Sequence, residues 1–112
     1  MMETLKALAE PNRLQIVELL LKGPRPVGEL VDELGLRQPQ VSKHLRVLSE
    51  AGLVAVRVDA QRRIYALQPA PLKELGTWVE KYRRVWEENF QRMDGLLEEM
   101  KRKEKKHGRK KR

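Results

Sequence analysis

The sequence predicts a mainly α-helical domain that carries one β-hairpin and a long C-terminal helix. Three observations predict it. Apolar residues recur at helical spacing through residues 3–51, punctuated by Pro and Gly. The period switches to two between Val54 and Leu67. From Leu75 an apolar seam advancing by alternate steps of four and three residues runs to Met100.

The elements follow in order. Residues 3–10 read as a short helix with Leu5 and Leu8 on one face, interrupted at Pro11. Because Pro is tolerated at the first helical position, Glu10-Pro11 begins a second helix. That helix carries Leu14, Val17, Leu20 and Leu21, with Ile16 at its flank, and stops at Gly23. GPRP at 23–26 is a break. A helix over 27–34 holds Leu30, Val31 and Leu34, and Gly35 supplies a left-handed C-terminal cap. The next helix runs from Gln38 to Ala51 and ends at Gly52. Val54, Val56 and Val58 then alternate with polar and small residues. Ile64 and Ala66 do the same after a turn over 59–62, so residues 53–67 form a two-stranded hairpin with a basic tip. PAP at 69–71 ends the hairpin, and a helix is expected from about Leu72 to about Lys103.

Composition narrows the function. The chain has 112 residues and no Cys, so it is expected to hold one modest core with no disulfide, thiolate nucleophile or Cys-based metal site. No His–carboxylate pair at useful spacing, GxGxxG run or phosphate loop is present, and neither an enzyme nor a cofactor is expected. No segment reaches the roughly 18 apolar residues of a membrane span, and MMETLKALAE lacks a signal-peptide core. The expectation is a cytoplasmic protein without a membrane partner.

The net charge of +8 is unevenly placed. Residues 101–112, KRKEKKHGRKKR, carry all of it, and residues 1–100 are neutral. The expected organisation is therefore a domain over 1–100, including a dimerisation helix over 72–100, and a disordered basic tail over 101–112. Within the neutral body, residues 37–64 are net +4 and the stretches on either side are net acidic.

That internal basic region contains a helix-turn-helix: 27–34, the turn Gly35-Leu36-Arg37, and 38–51. With Val41, Leu45 and Leu48 as the buried stripe of the second helix, Gln40, Lys43 and Arg46 lie opposite, and Ser42 and His44 lie at the flanks. Gln pairs with adenine edges, Lys and Arg with guanine or phosphate, and Ser with either, so this face suits a DNA major groove. The hairpin adds Arg57, Arg62 and Arg63, cations suited to flanking phosphates.

Three stretches resemble the ArsR-type winged helix-turn-helix repressors: LKALAEPNRLQIVELLLKG (5–23), RQPQVSKHLRVLSEAGLV (37–54) and RRIYAL (62–67). The resemblance covers residues 3 to about 95, with helix order, the S-x-H-L element (Ser42, His44, Leu45) and the wing in register. It implies a winged helix-turn-helix fold, a homodimer, binding to a double-stranded operator, and release by an inducer. It maps the family's DNA-reading positions onto Gln38, Gln40, Ser42, Lys43 and His44. The metal-sensing members carry Cys in the helix before the turn, or Asp/His and His/Glu ligands along the last helix. The matching segment here is VGELVDELG, and the last helix has Asp94, Glu98 and Glu99 but no His before the tail. No metal site is therefore expected. The sequence resembles the metal-independent branch, whose inducers are diverse.

The long helix carries the heptad seam Leu75, Val79, Tyr82, Trp86, Asn89, Met93, Leu96 and Met100, widened by Leu72, Trp78, Val85 and Phe90. A helix apolar on two sides needs cover beyond its own body, which predicts a homodimer through this seam together with Leu5 and Leu8. Asn89 is the one polar residue in the seam. The alternative is a non-specific nucleic-acid-binding or architectural protein using the basic tail.

Overall fold

The computed structural model describes the backbone of residues 1–110 and the side chains through residue 105. The chain order is α1 (Met2–Leu8), α2 (Pro11–Leu20), β1 (Arg25–Pro26), α3 (Val27–Leu34), α4 (Gln38–Glu50), β2 (Val54–Asp59), β3 (Arg62–Leu67) and α5 (Pro69–Lys110). It divides into two compact units, Met1–Gly76 and the residues from Thr77 onward.

In the first unit, α1 and α2 meet through reciprocal capping. Glu10 is the N-cap of α2, and its carboxylate accepts a bond from the Arg13 backbone N–H at 2.9 Å. The Arg13 guanidinium reaches back to the carbonyl of Ala7 at 2.6 Å and that of Lys6 at 3.3 Å. An acid thus sits at the positive end of α2 and a cation at the negative end of α1, each satisfying backbone groups left open by the helix end. The core gathers Ala7, Ile16, Val17, Leu20, Leu30, Val41, Leu45, Leu48, Leu53 and Val54. The face of α2 differs from expectation. Ile16, Val17 and Leu20 are buried, whereas Leu14 and Leu21 are exposed. Residues 16, 17 and 20 form a tight row, and positions 14 and 21 lie about a quarter-turn from its centre on a 3.6-residue helix.

The stop signals of α3 and α4 fall where the sequence places them. Gly35 takes the left-handed conformation, φ 66°, after α3. At the end of α4, Gly52 has φ 74°, its N–H donates to the Ser49 carbonyl, and the Leu53 N–H donates to the Leu48 carbonyl at 2.9 Å. This double closure brings together Leu48 and Leu53, both fully buried, so the turn out of α4 is also a piece of the core.

The hairpin spans the expected residues but is not two-stranded. β2 pairs antiparallel with β3, Val54 opposite Leu67 and Asp59 opposite Arg62, leaving Ala60-Gln61 as the turn. A third strand, Arg25–Pro26, pairs with Tyr65 and Ile64 on the other edge of β3, so GPRP is more than a break. Pro suits this place because an edge strand tolerates a residue without an N–H.

α5 begins at Pro69, three residues earlier than expected, because Pro69 and Pro71 lie in the first turn, where no N–H is needed. It also continues through Lys110, so the basic segment expected to be disordered is helical as far as that residue. Lys, Arg and Glu are strong helix formers, which accounts for the continuation. Residues 111–112 lie outside the described residues. In the second unit, every described side chain of α5 from Thr77 to Lys105 is exposed. Trp78–Tyr82 and Trp86–Phe90 pack as ring pairs with centroids 4.7 and 5.4 Å apart. Arg83 bonds to Glu80 at 2.7 Å and holds that carboxyl below its usual range. Among the described residues, no helix is long and apolar enough to cross a membrane.

Candidate nucleic-acid interface

The buried stripe of α4 sets the site. Val41, Leu45 and Leu48 have no exposed surface, which fixes the rotation of the helix and turns Gln38, Gln40, Ser42, Lys43 and Arg46 outward. All five are exposed. Two have intramolecular ties that the sequence did not reveal. The Gln40 amide oxygen accepts the Arg37 backbone N–H at 3.2 Å. Gln40 therefore closes the first turn of α4 while its NH₂ group stays available. Arg37, at the N-cap, is also exposed and has no acceptor in its own side chain, so the capping is carried by Gln40 alone. Arg46 Nε bonds to Glu50 at 3.3 Å across one turn of exposed helix.

His44 is placed differently from the other residues expected to contact DNA. Its side chain is 20% exposed, and Nδ1 lies 3.6 Å from Oε2 of Glu10. It faces the N-cap of α2 from the flank of α4. Its role as a base reader, implied by the resemblance, is thus joined by a contact inside the protein.

The wing places Arg57, Arg62 and Arg63 on exposed strand positions. Among the described residues, Lys43 and these three Arg form no ion pair with a protein carboxylate, so their charges remain available to an external anion. The turn carries strain: Ala60 is the one non-Gly residue with positive φ among those described, at 57°. A positive φ at the first turn residue and not the second matches the sign pattern of a type II′ hairpin turn, where Gly is the usual occupant.

The fold also brings together groups that sequence reasoning kept apart. Pro26, Val27 and Gly28 at the start of α3, Gln38 at the start of α4, and Gln61, Arg62 and Arg63 of the wing line one open cleft of about 350 Å³. The missed signal was Arg25-Pro26: once this pair is read as an edge strand on β3, the start of α3 must lie beside the wing. Gln61 thereby joins the exposed polar groups of the wing and of α4 at this cleft.

The seam residues sit in two settings. Leu5, Leu8 and Leu75 are half-buried in the first unit, with Leu8 against the core edge. Val79, Tyr82, Trp86, Asn89, Met93 and Leu96 are exposed on the second unit, and Trp86 keeps 50% of its surface open. Among the described residues, no three His, Asp or Glu side chains converge as a metal-binding group.

A core-forming helix-turn-helix with an outward polar face and an adjoining basic hairpin defines a winged helix-turn-helix transcriptional regulator. Comparisons with known proteins identify which kind. The family described as "Bacterial regulatory protein, arsR family" matches residues 10–56. The chain is similar to the HTH-type transcriptional regulator Rv2034 of Mycobacterium tuberculosis, with 44% identity over 77 residues, 69% of this chain and 72% of that protein. It is 46% identical over 63 residues to the biofilm growth-associated repressor of Agrobacterium fabrum, covering 56% of this chain and 54% of that one. Among solved structures, HlyU from Vibrio cholerae superposes with a TM-score of 0.63 at 37% identity, covering 72% of this chain and 88% of that one. The transcriptional repressor BigR from Xylella fastidiosa gives 0.60 at 35% identity, covering 71% and 82%. This chain belongs to the ArsR family and is a DNA-binding transcriptional repressor.

Proposed function

We propose that the chain acts as a homodimer on a double-stranded operator, α4 lying in the major groove and the wing on the flanking backbone. The observation that carries the reading is the division of α4. One side is sealed in the core by Val41, Leu45 and Leu48, and the other presents Gln38, Gln40, Ser42, Lys43 and Arg46 beside the unpaired arginines of the wing. Uncharged amides and hydroxyls among the cations favour base reading over charge alone. The dimer reading is supported by Trp78, Tyr82, Trp86, Phe90 and Met93, each between 39% and 53% exposed. Exposed aromatics in a continuous row mark an association surface. Two-fold pairing sets two copies of α4 roughly one DNA turn apart, so the operator is expected to be an inverted repeat.

The test measures binding to duplex DNA from upstream of the gene itself and to random duplex, with sedimentation of the free protein. A dimer that prefers an inverted repeat is the expected result. Arg62→Ala with Arg63→Ala should lower affinity about equally for both DNAs. The plot of log affinity against log salt should flatten by roughly 0.9 for each phosphate that the wing no longer neutralises. A monomer, or equal affinity for all sequences, overturns the reading.

A further inference from the structure

We propose that the basic end of α5 is a helical arm that binds the phosphate backbone of duplex DNA without regard to sequence, adding to the operator contacts of α4. The inference rests on the DNA reading above and extends it to a segment that the reading does not use.

Residues 1–100 are electrically neutral, so the chain's whole excess of +8 lies beyond Met100. This segment is not a loose tail as far as Lys110, because α5 continues through it. Lys101, Arg102, Lys103 and Lys105 are all exposed. At 1.5 Å per residue, residues 101–110 place one net positive charge about every 2.5 Å of helix, against one negative charge per roughly 1.7 Å of duplex. The charge densities are therefore of the same order and opposite sign.

The helical form is under electrostatic stress. Lys101 and Lys105 are one turn apart, as are Arg102 and Lys105, and like charges at these spacings destabilise a helix. Offsetting acid is sparse: Glu98 lies 4.0 Å from Arg102, and Glu104 is the one acidic residue of the segment. A polyanion would remove this repulsion, so binding and helix formation favour each other. Three consecutive cations at 101–103 point in three directions around the axis, which leaves no apolar face. A helix that lies on a membrane needs such a face.

The experiment compares the full chain with a full-length variant in which Lys101, Arg102, Lys103 and Lys105 are all changed to Gln, a residue that keeps helix propensity. Affinity for a short random-sequence duplex is measured from about 50 to about 200 mM salt. The arm predicts a loss of at least roughly tenfold at the low end, a slope shallower by about two to four units, and a similar loss on the operator, so that the preference for operator over random duplex is unchanged. Thermal melting followed by circular dichroism should show the helix of the full chain persisting to higher temperature when random duplex is added, and less so in the variant. Unchanged random-duplex affinity and slope overturn the arm. So does binding to phosphatidylserine vesicles or to an acidic polypeptide that the substitutions abolish while random-duplex binding stays intact. Random-duplex affinity reports on the arm and operator preference on α4, so each can fail alone.

Discussion

His44 of α4 lies 3.6 Å from the Glu10 carboxylate that caps α2, and both side chains are mostly withdrawn from solvent. One carboxylate thus serves two helices: it closes the first turn of α2 through the Arg13 N–H and faces the flank of α4. His44→Ala should loosen the seating of α4 rather than delete a phosphate contact. Operator affinity is expected to fall several-fold with the salt slope unchanged, and stability to fall by about 0.5–1 kcal/mol. Glu10→Ala should cost about 1 kcal/mol by removing the cap. The two effects should be non-additive in a double-mutant cycle, measured by chemical denaturation. A changed salt slope for His44→Ala would show direct contact with DNA phosphate.

Gln40 and Lys43 separate two kinds of loss on the same face. Gln40→Ala removes the acceptor for the Arg37 N–H as well as a candidate base contact. It should lower stability by about 0.5–1 kcal/mol and operator affinity by about 1–3 kcal/mol. Lys43→Ala should weaken the operator complex while leaving the melting curve in place. Parallel melting and anisotropy measurements check the pair, and wild-type binding by both variants would mean that this face does not read bases.

Ala60 occupies a left-handed position that Gly adopts at less cost. Ala60→Gly should stabilise the protein by about 0.5–1 kcal/mol, less the entropy that Gly adds to the unfolded chain. Equilibrium denaturation reads the sign. Destabilisation would show that the turn is held by contacts of the Ala60 methyl group.

Metal ions provide a fourth test. Zinc, nickel, cadmium or arsenite at micromolar concentration should leave operator affinity unchanged at constant ionic strength, since the chain has no Cys and its two His lie on α4 and in the basic segment. Stoichiometric release from the operator by any of them would place a sensor site where the residue types do not suggest one.

The buried stripe of α4, both glycine caps and the spans of the two hairpin strands were legible because each is a local rule: a period, or a residue that alone tolerates a backbone angle. The misread elements depend on tertiary partners. Arg25-Pro26 is too short to show a period and becomes a strand because β3 offers an edge. Leu53, one residue past Gly52, belongs to the core because the α4 closure folds it back onto Leu48. In α2, five apolar residues allow several faces, and packing against α3 and α4 selects the one centred between Ile16 and Leu20. On the outward face of α4 the residue types were readable, but the bond of Gln40 to the Arg37 N–H and the approach of His44 to Glu10 required coordinates.

Leu53 has a further consequence for how such a protein changes its target. Its N–H bonds to the Leu48 carbonyl, and its own carbonyl accepts the Gln68 N–H at 2.8 Å, so helix and hairpin are joined through main-chain atoms and one buried leucine. None of these bonds uses Ser42, Lys43 or Arg46. The outward letters of α4 can therefore be rewritten while the frame that presents them stays fixed. A library varied at those three positions should yield folded repressors with new addresses far more often than one varied at Leu48 or Leu53. Divergence of binding sites among descendants of such a chain needs no redesign of its housing.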